Sequence, residues 1–185
     1  GSEMCIRDRA RMNGIESSGA HNALFDANLT KLVLEKIYKE QNITWRSAMM
    51  TGSREEVENF SRNELMFSLN EYFYGKSKLY LVTPLYHEHM LHPIYKWVQA
   101  FDLRFDPQIY FDLSLDELKK EMKKTPKFIR TIRSNKAPVL LHSDYAAKAE
   151  PYSAMTKEQL LKRAKLIKGN KDFCARVSLA LAEIA

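Results

Sequence analysis

Residues 19–37 read GAHNALFDANLTKLVLEKI, and this stretch decides the fold at the start of the chain. Its apolar side chains recur every three or four residues, the spacing of one face of an amphipathic helix. That face consists of Phe25, Leu29, Leu32, Val33 and Ile37. Asn22 is a residue type preferred at the N-cap of a helix. The stretch therefore predicts a helix from about Asn22 to Glu40.

The same stretch places His21 five residues before Asp26. On a continuous helix this spacing turns the two side chains about 140° apart. They converge only if His21 lies in the loop that enters the helix and Asp26 lies one turn inside. A carboxylate there can hold Mg²⁺, and the imidazole can take a proton from an attacking water. Taken alone, such a pair is more often a helix-start aspartate and an ordinary surface histidine.

Beyond this helix the pattern becomes mixed. We expect a second short helix near Trp45 and Met49, then a polar linker helix over residues 54–59. Short runs rich in aromatic and branched side chains predict strands. These runs cover residues 79–82, 97–101, 108–111, 128–132 and 138–141.

Helix starts recur in the second half of the chain. Ser114 with Glu117, and Thr156 with Gln159, have the spacing of capping boxes. Each pair opens a helix, the first closed before the Thr-Pro that follows it and the second by a glycine. A last helix is predicted over residues 171–184 because its apolar residues again fall on one side.

The charge of the chain is unevenly distributed. There are 29 Lys and Arg against 23 Asp and Glu, a formal charge of +6. Residues 119–136 hold eight basic residues and one acid, and residues 157–171 hold six and one. A surface of this kind suits a polyanion, nucleic acid above all. An equally weighted interpretation is a set of solvated helix faces whose lysines serve solubility.

Composition narrows the class of protein. The chain is 45% hydrophobic and 28% charged, as soluble globular proteins are, and no apolar run is long enough to span a bilayer. Cys5 and Cys174 are far apart and fit no metal-ligand spacing. We expect them to be reduced thiols in a cytoplasmic protein.

The β-prone region combines tyrosines with basic residues. Aromatic rings stack on bases and basic side chains contact phosphates in proteins that bind single strands. The candidates for such contacts are Tyr72, Tyr74, Arg130, Arg133 and Lys136. For any one aromatic residue, the core of a small barrel is the commoner place. The pattern leaves open which face meets DNA, since on a strand Arg130 shares a face with Lys136 only if Arg133 does not.

Three histidines, His87, His89 and His92, form the other cluster. On a strand the first two would share a face, and the third could close a three-ligand zinc site. No fourth ligand is obvious, and such a cluster is far more often an ordinary loop.

The segment that contains His21 resembles a known nuclease motif. Gly14-Ile15-Glu16, followed by residues 20–27 (AHNALFDA), is similar to the last motif of the exonuclease I (exodeoxyribonuclease I) family. That family consists of DEDD-type nucleases with a catalytic histidine. Residues 133–140 (RSNKAPVL) resemble an Asn-Lys-Cys-Pro-Val-Leu signature of the same family, with Ala137 in place of the cysteine.

Further segments resemble that family in the same order along the chain. Those that resemble its SH3-like middle domain are residues 67–74, 80–86, 98–103 and 113–118. Phe173 to Ile184 resembles the helix that leads into its C-terminal domain. Each motif is weak alone, and their shared order makes the resemblance specific.

The resemblance implies an α+β fold in three parts. Residues 10–59 would be the helical end of a ribonuclease H-like exonuclease domain with linker helices. Residues 60–150 would form an SH3-like small β barrel or sheet with an inserted helix, and residues 151–185 the helical start of a C-terminal domain. Residues 1–9 (GSEMCIRDR) have no periodicity and no net charge, so we expect a non-native leader outside the fold.

The implied activity is 3′→5′ hydrolysis of single-stranded DNA with two Mg²⁺ ions, in DNA repair. In that scheme His21 is the general base and Asp26 is a metal ligand. The implied partners are single-stranded DNA and a single-stranded DNA-binding protein. We expect a cytoplasmic monomer that does not engage membranes.

The same family also needs an Asp-x-Glu and another Asp upstream of the His21 segment. We therefore expect this chain to be a C-terminal fragment of an exonuclease I-like protein and to be inactive alone. Two other functions stay open. One is a stand-alone binding module for single-stranded nucleic acid, and the other is an interaction domain that docks through its first amphipathic helix.

Overall fold

A computed structural model gives the fold of the chain. It describes residues 6–18, 22–42, 46 and 51–185, and at Phe73 the backbone alone. The chain divides into two compact units, residues 1–46 and residues 47–185. Among the described residues, no helix combines the length and the apolar character needed to cross a membrane.

Two helices, α1 (Ile6–Met12) and α2 (Ala23–Glu40), build the first unit. α2 begins as predicted, because Asn22 is extended and its side chain accepts a hydrogen bond from the Leu24 amide at 2.9 Å. α1 was not expected. It includes residues 6–9, which the sequence had placed outside the fold.

The reason for α1 is burial against α2. Ala10 is fully buried, and Ile6 packs on the same cluster as Leu29 and Val33. A helix of only seven residues depends on such packing for its stability, and the sequence of residues 1–9 does not reveal that packing by itself. Elsewhere the predicted apolar face of α2 stays open, with Leu32 47% exposed.

The second short helix expected near Trp45 and Met49 falls outside the described residues. The polar linker helix is present as α3 (Arg54–Asn63) and is longer than predicted. Its start is a capping box, in which the Glu56 amide donates to the Ser53 hydroxyl and the Glu56 carboxylate accepts from the Ser53 amide.

Five strands form one antiparallel sheet. They are β1 (Phe67–Phe73), β2 (Lys76–Pro84), β3 (Val98–Asp102), β4 (Ile129–Ile132) and β5 (Val139–Leu141). Their order is β4-β3-β2-β1-β5. Within the described chain β4 pairs with β3 and β5 with β1, so the sheet is open and not closed into a barrel. Pro138 stands just before the edge strand β5, where its missing N–H costs no ladder bond.

Of the remaining helices, two lie between β3 and β4 in the sequence and three follow β5. They are α4 (Gln108–Phe111), α5 (Leu115–Lys123), α6 (Ser143–Ala147), α7 (Lys157–Gly169) and α8 (Lys171–Glu183). Both predicted capping boxes are formed, at the starts of α5 and α7. The described chain also has 3-10 turns at His87–His89 between β2 and β3, at Ser134–Lys136 between β4 and β5, and at Tyr152–Ala154 between α6 and α7.

The strand predicted over residues 108–111 is wrong, because these residues form the short helix α4. Asp106 accepts a hydrogen bond from the Gln108 amide at 3.1 Å, and Pro107 has the φ that a helix start needs. Tyr110 is buried and stacks on Phe128, with ring centroids 4.2 Å apart. Local start signals and one buried ring thus outweigh the β propensity of the run.

Side chains on the two sides of the sheet form separate cores. Alternation along the strands puts Leu81 and Phe101 into a larger core with α5, α7 and α8. Tyr80 and Val82 join a smaller core that includes Val57 of α3. The candidate site lies on the side of the smaller core.

Candidate nucleic-acid interface

A groove of about 780 Å³ opens on the side of the sheet that carries the smaller core. Leu69 and Ile132, both members of that core, line it. We call it the Trp97 groove. Its aromatic and basic lining residues are Tyr72, Lys78, Tyr80, Trp97, Arg133 and Lys136.

A tight turn brings two of the predicted basic residues together. Arg133 directly follows β4, and the 3-10 turn after it is closed by a hydrogen bond from the Lys136 amide to the Arg133 carbonyl at 2.9 Å. Ala137 then takes a left-handed conformation, with φ of +44°, and sends the chain toward β5. Lys136 thus lies in a turn and not on a strand, so the alternation of strand faces does not apply to it.

Trp97 belongs to a row of stacked rings. Its indole stacks on Tyr95 at 4.8 Å, and Tyr95 contacts His92 at 4.8 Å. The Arg133 guanidinium lies 5.3 Å from the centre of the Trp97 ring. His92 is buried, and its Nδ1 accepts hydrogen bonds from the amides of Ile94 and Tyr95. These ring contacts fix the orientation of the Trp97 side chain in the protein without a ligand.

The groove is positive in balance. Lys78, Arg133 and Lys136 face one acid, Glu71, among the described lining residues. Glu71 stands opposite Lys78 in the β1–β2 ladder, where opposite charges attract across the strands. Arg133 and Lys136 are both exposed and keep their charge in contact with solvent.

The two predicted tyrosines differ in position. Tyr72 lines the groove and is 65% exposed. Tyr74 lies in the β1–β2 turn with φ of +47° and is not among the residues that line the groove.

Arg130 is also not among the residues that line the groove, although its Nη1 lies 3.8 Å from Oε2 of Glu71, which does line it. Its Nε donates to Oδ2 of Asp102 at 3.3 Å, and its guanidinium lies 3.5 Å from the centre of the Tyr80 ring. Only 15% of its side chain is exposed. Arg130 therefore organises a buried ion pair, whereas Arg133 and Lys136 face the groove.

The histidine cluster does not build a metal site in the described part of the chain. His87 and His89 lie in a 3-10 turn and not on a strand. Burial lowers the pKa of His92, with a further effect of the Lys96 charge, and its Nδ1 is already used as an acceptor. No three His, Cys, Asp or Glu side chains come together to hold an ion among the described residues.

Asp26 lies in the first turn of α2, as predicted. Its carboxylate is bound by Arg7 of α1, with a distance of 3.0 Å between Nη2 and Oδ1. The Arg7 side chain is 16% exposed and that of Asp26 is 42% exposed. His21, the predicted general base, lies outside the described residues.

Comparison with solved structures relates this geometry to known proteins, whereas no family model and no curated protein matches the sequence. A moderately thermophilic exonuclease I from Methylocaldum szegediense superposes with a TM-score of 0.67, 20% identity and 96% of this chain covered. E. coli exonuclease I in its zinc-bound complex with single-stranded DNA gives 0.62, 20% and 97%. A complex of exonuclease I with SSB-Ct gives 0.62, 16% and 94%.

The chain has the fold of part of exonuclease I. It spans 39–41% of the length of these three exonuclease I chains. The resemblance seen in the order of the sequence motifs is thus confirmed at the level of the fold.

An exonuclease I-like metal site would draw on Asp26, and the described residues do not fit such a site. Asp26 is paired with Arg7, a cation that competes with a metal ion for the same oxygens. The structure brings no second or third ligating side chain to it within the described ranges. Two divalent ions need more carboxylate charge than Asp26 supplies.

Two residues of the Trp97 groove were missed by sequence reasoning. Trp97 was interpreted only as part of a β-prone run, and Lys78 lies in neither of the two basic segments. The sequence did contain a signal for Trp97, because it directly precedes a buried strand and a tryptophan is rarely buried completely. That position could have marked it as a ring partly exposed at the surface. Lys78 gave no signal of its own, since only the β1–β2 register places it beside the groove.

Proposed function

We propose that this chain is the DNA-guiding part of an exonuclease I-like 3′→5′ exodeoxyribonuclease that acts on single-stranded DNA. The observation that carries the proposal is the Trp97 groove, which combines Trp97 and Tyr72 with Arg133 and Lys136. The fold supports it, since one protein with this fold was solved with single-stranded DNA.

The groove has the chemistry that a single strand requires. An unpaired base presents a flat face that stacks on an aromatic ring, with about 1–3 kcal/mol for each base. Trp97 contacts Tyr95 and Arg133. Because these contacts already restrict its side chain, stacking of a base on Trp97 costs little further side-chain entropy. Arg133 and Lys136, three residues apart in one turn, contact phosphates beside the stacked base.

Catalysis belongs, in this proposal, to the complete enzyme. His21 would act as general base and Asp26 as a ligand of one of two Mg²⁺ ions, as the family resemblance implies. Since the described residues of this chain do not fit a two-ion site, we expect the chain alone not to hydrolyse DNA. A single-stranded DNA-binding protein is proposed as a partner of the complete enzyme, because a protein of the same fold was solved with SSB-Ct.

Fluorescence anisotropy with labelled oligo-dT tests the binding function. Trp97→Ala should weaken binding at least about fivefold, since a stacked base contributes about 1–3 kcal/mol. Tyr145→Ala is the matched control, because Tyr145 is an exposed ring on α6 that does not line the groove. Circular dichroism of each variant verifies that the fold is kept.

Equal affinity of the Trp97→Ala variant and the wild type would refute the groove as the DNA site.

A second candidate function is a stand-alone single-strand-binding module, favoured by the missing cluster of metal ligands in the described residues. Incubation of the chain with Mg²⁺ and oligo-dT tests DNA hydrolysis separately from DNA binding. Release of mononucleotides by the pure chain would overturn the expected inactivity and leave the binding result intact.

A further inference from the structure

A second pocket, also of about 780 Å³, adjoins the Trp97 groove. We call it the Arg104 pocket. Lys78 and Tyr80 line both hollows, so the two adjoin across these side chains. The basic residues of the Arg104 pocket are Lys78, Arg104, Lys127 and Arg130, and Glu150 is the acid among its described lining residues.

A buried carboxylate holds the two guanidinium groups. Asp102 is fully buried, and its Oδ2 lies 3.2 Å from Nε of Arg104 and 3.3 Å from Nε of Arg130. Its Oδ1 accepts a hydrogen bond from the Tyr152 hydroxyl at 2.6 Å. Glu71 lies 3.8 Å from Nη1 of Arg130 as well, measured from its Oε2. The four basic lining residues therefore face three carboxylates, those of Asp102, Glu71 and Glu150, and the pocket keeps an excess of positive charge.

Tyr80 lies beneath both cations. The guanidinium carbon of Arg130 is 3.5 Å from the centre of the Tyr80 ring, and that of Arg104 is 5.6 Å away. Burial and stacking fix the orientation of the two side chains, which are 15% and 24% exposed. A fixed, partly exposed guanidinium is suited to bind the oxygens of a phosphate.

We infer that the Arg104 pocket binds a backbone phosphate of the same DNA strand that occupies the Trp97 groove. This inference rests on the proposed function and adds the path of the strand, from Trp97 across Lys78 and Tyr80 to Arg104. The shared lining residues favour a continuous strand over a separate small anion, because one ligand can contact both hollows without leaving the surface.

Length dependence tests the path. Lys127→Glu changes an exposed pocket residue and should not weaken binding of dT4, which the groove alone can hold. It should weaken binding of dT20 about fivefold at 0.1 M salt, the effect of one lost phosphate contact on a single strand. Lys120→Glu is the matched control, with the same charge change on α5 outside both hollows.

Glu150→Gln supplies the opposite change in the same pocket. It removes the acid and leaves an oxygen that can accept from the Ser153 hydroxyl. Binding of dT20 should tighten about twofold, with binding of dT4 unchanged. If Lys127→Glu and Lys120→Glu bind dT20 equally, the inference is overturned. If Trp97→Ala also binds every length like wild type, the proposed function fails as well.

The Nε–H resonances of Arg104 and Arg130 separate a strand phosphate from a free anion. Addition of dT20 should shift them, whereas inorganic phosphate at the same concentration and ionic strength should not. Shifts with inorganic phosphate and none with dT20 would overturn the inference in favour of a small-anion site. Shifts with neither ligand would overturn it altogether.

Discussion

At the scale of single residues, His92 is a buried side chain that supports the Trp97 groove without lining it. Its neutral ring accepts two amide hydrogen bonds that shape residues 92–95, and its face contacts Tyr95, on which Trp97 stacks. A protonated ring has two donors and no acceptor. The Trp97 stack therefore depends on His92 remaining neutral.

We predict that His92 makes the stability of the second unit dependent on pH. Burial lowers the pKa of His92 in the folded chain, whereas in the unfolded chain it is about 6.5. As the pH falls through about 6.5, the unfolded chain takes up a proton that the folded chain resists. The free energy of unfolding should therefore decrease below this pH, and this contribution is lost completely below the folded pKa.

Urea unfolding at pH 7.5 and pH 5.5 measures this effect. His92→Asn keeps an acceptor for the two amides and cannot titrate, so its loss of stability between the two pH values should be smaller than that of wild type. The comparison removes the contribution of the other histidines. Equal losses in the two proteins would contradict the role given to His92.

At the scale of elements, Asp102 joins parts of the fold that are distant in sequence. It ends β3, binds Arg130 of β4, and accepts a hydrogen bond from Tyr152 in a 3-10 turn. Burial raises the pKa of Tyr152, and the nearby Asp102 charge raises it further, so the hydroxyl stays a donor. The carboxylate is stable in the core because each of its oxygens has a donor.

Asp102→Asn should destabilise the second unit by about 3–5 kcal/mol, because Arg104 and Arg130 would lose the buried carboxylate that lies between them. Tyr152→Phe is the control. It removes one hydrogen bond to a charged group, with an expected loss of about 2 kcal/mol, and leaves the ion pairs intact. Urea unfolding at pH 7 measures both. A loss below about 1 kcal/mol for Asp102→Asn would show that water replaces the carboxylate.

The elements that the sequence predicted are those with local signals. Asn22, Ser114 and Thr156 each cap a helix through bonds that span two or three residues, so the pattern alone identifies them. The run over residues 108–111 was misassigned, because the burial of Tyr110 against Phe128 is not visible in a composition rich in β formers. The helical state of residues 6–9 likewise depends on α2, a partner far along the chain.

The candidate site was predicted in part for the same reason. Arg133, Lys136 and Tyr72 could be named from residue type, but their meeting with Trp97 depends on a turn and on the strand order. Arg130 was named beside them, and its place in the ion pair with Asp102 follows from the pairing of β3 with β4. Spacing along the chain could not separate Arg130 from Arg133, because only the tertiary fold gives them different neighbours.

At the scale of the whole molecule, the basic residues lie in two different environments. Lys119 is paired with Asp116 and Glu183 on the surface of α5 and α8, as expected of a solvated helix face. Arg133 and Lys136, from the same basic segment, line the Trp97 groove. The net charge of +6 is therefore a poor measure of how many phosphates the chain contacts.

The salt dependence of binding should follow the groove and not the net charge. Each phosphate contact on a single strand contributes about −0.7 to the slope of log K against log salt concentration. Arg133→Ala should therefore make the slope for oligo-dT shallower by about 0.7. Lys120→Ala removes the same charge outside the groove and should leave the slope unchanged. Anisotropy titrations from low to moderate NaCl measure both slopes, and an equal change in the two variants would mean that DNA responds to overall charge and not to the groove.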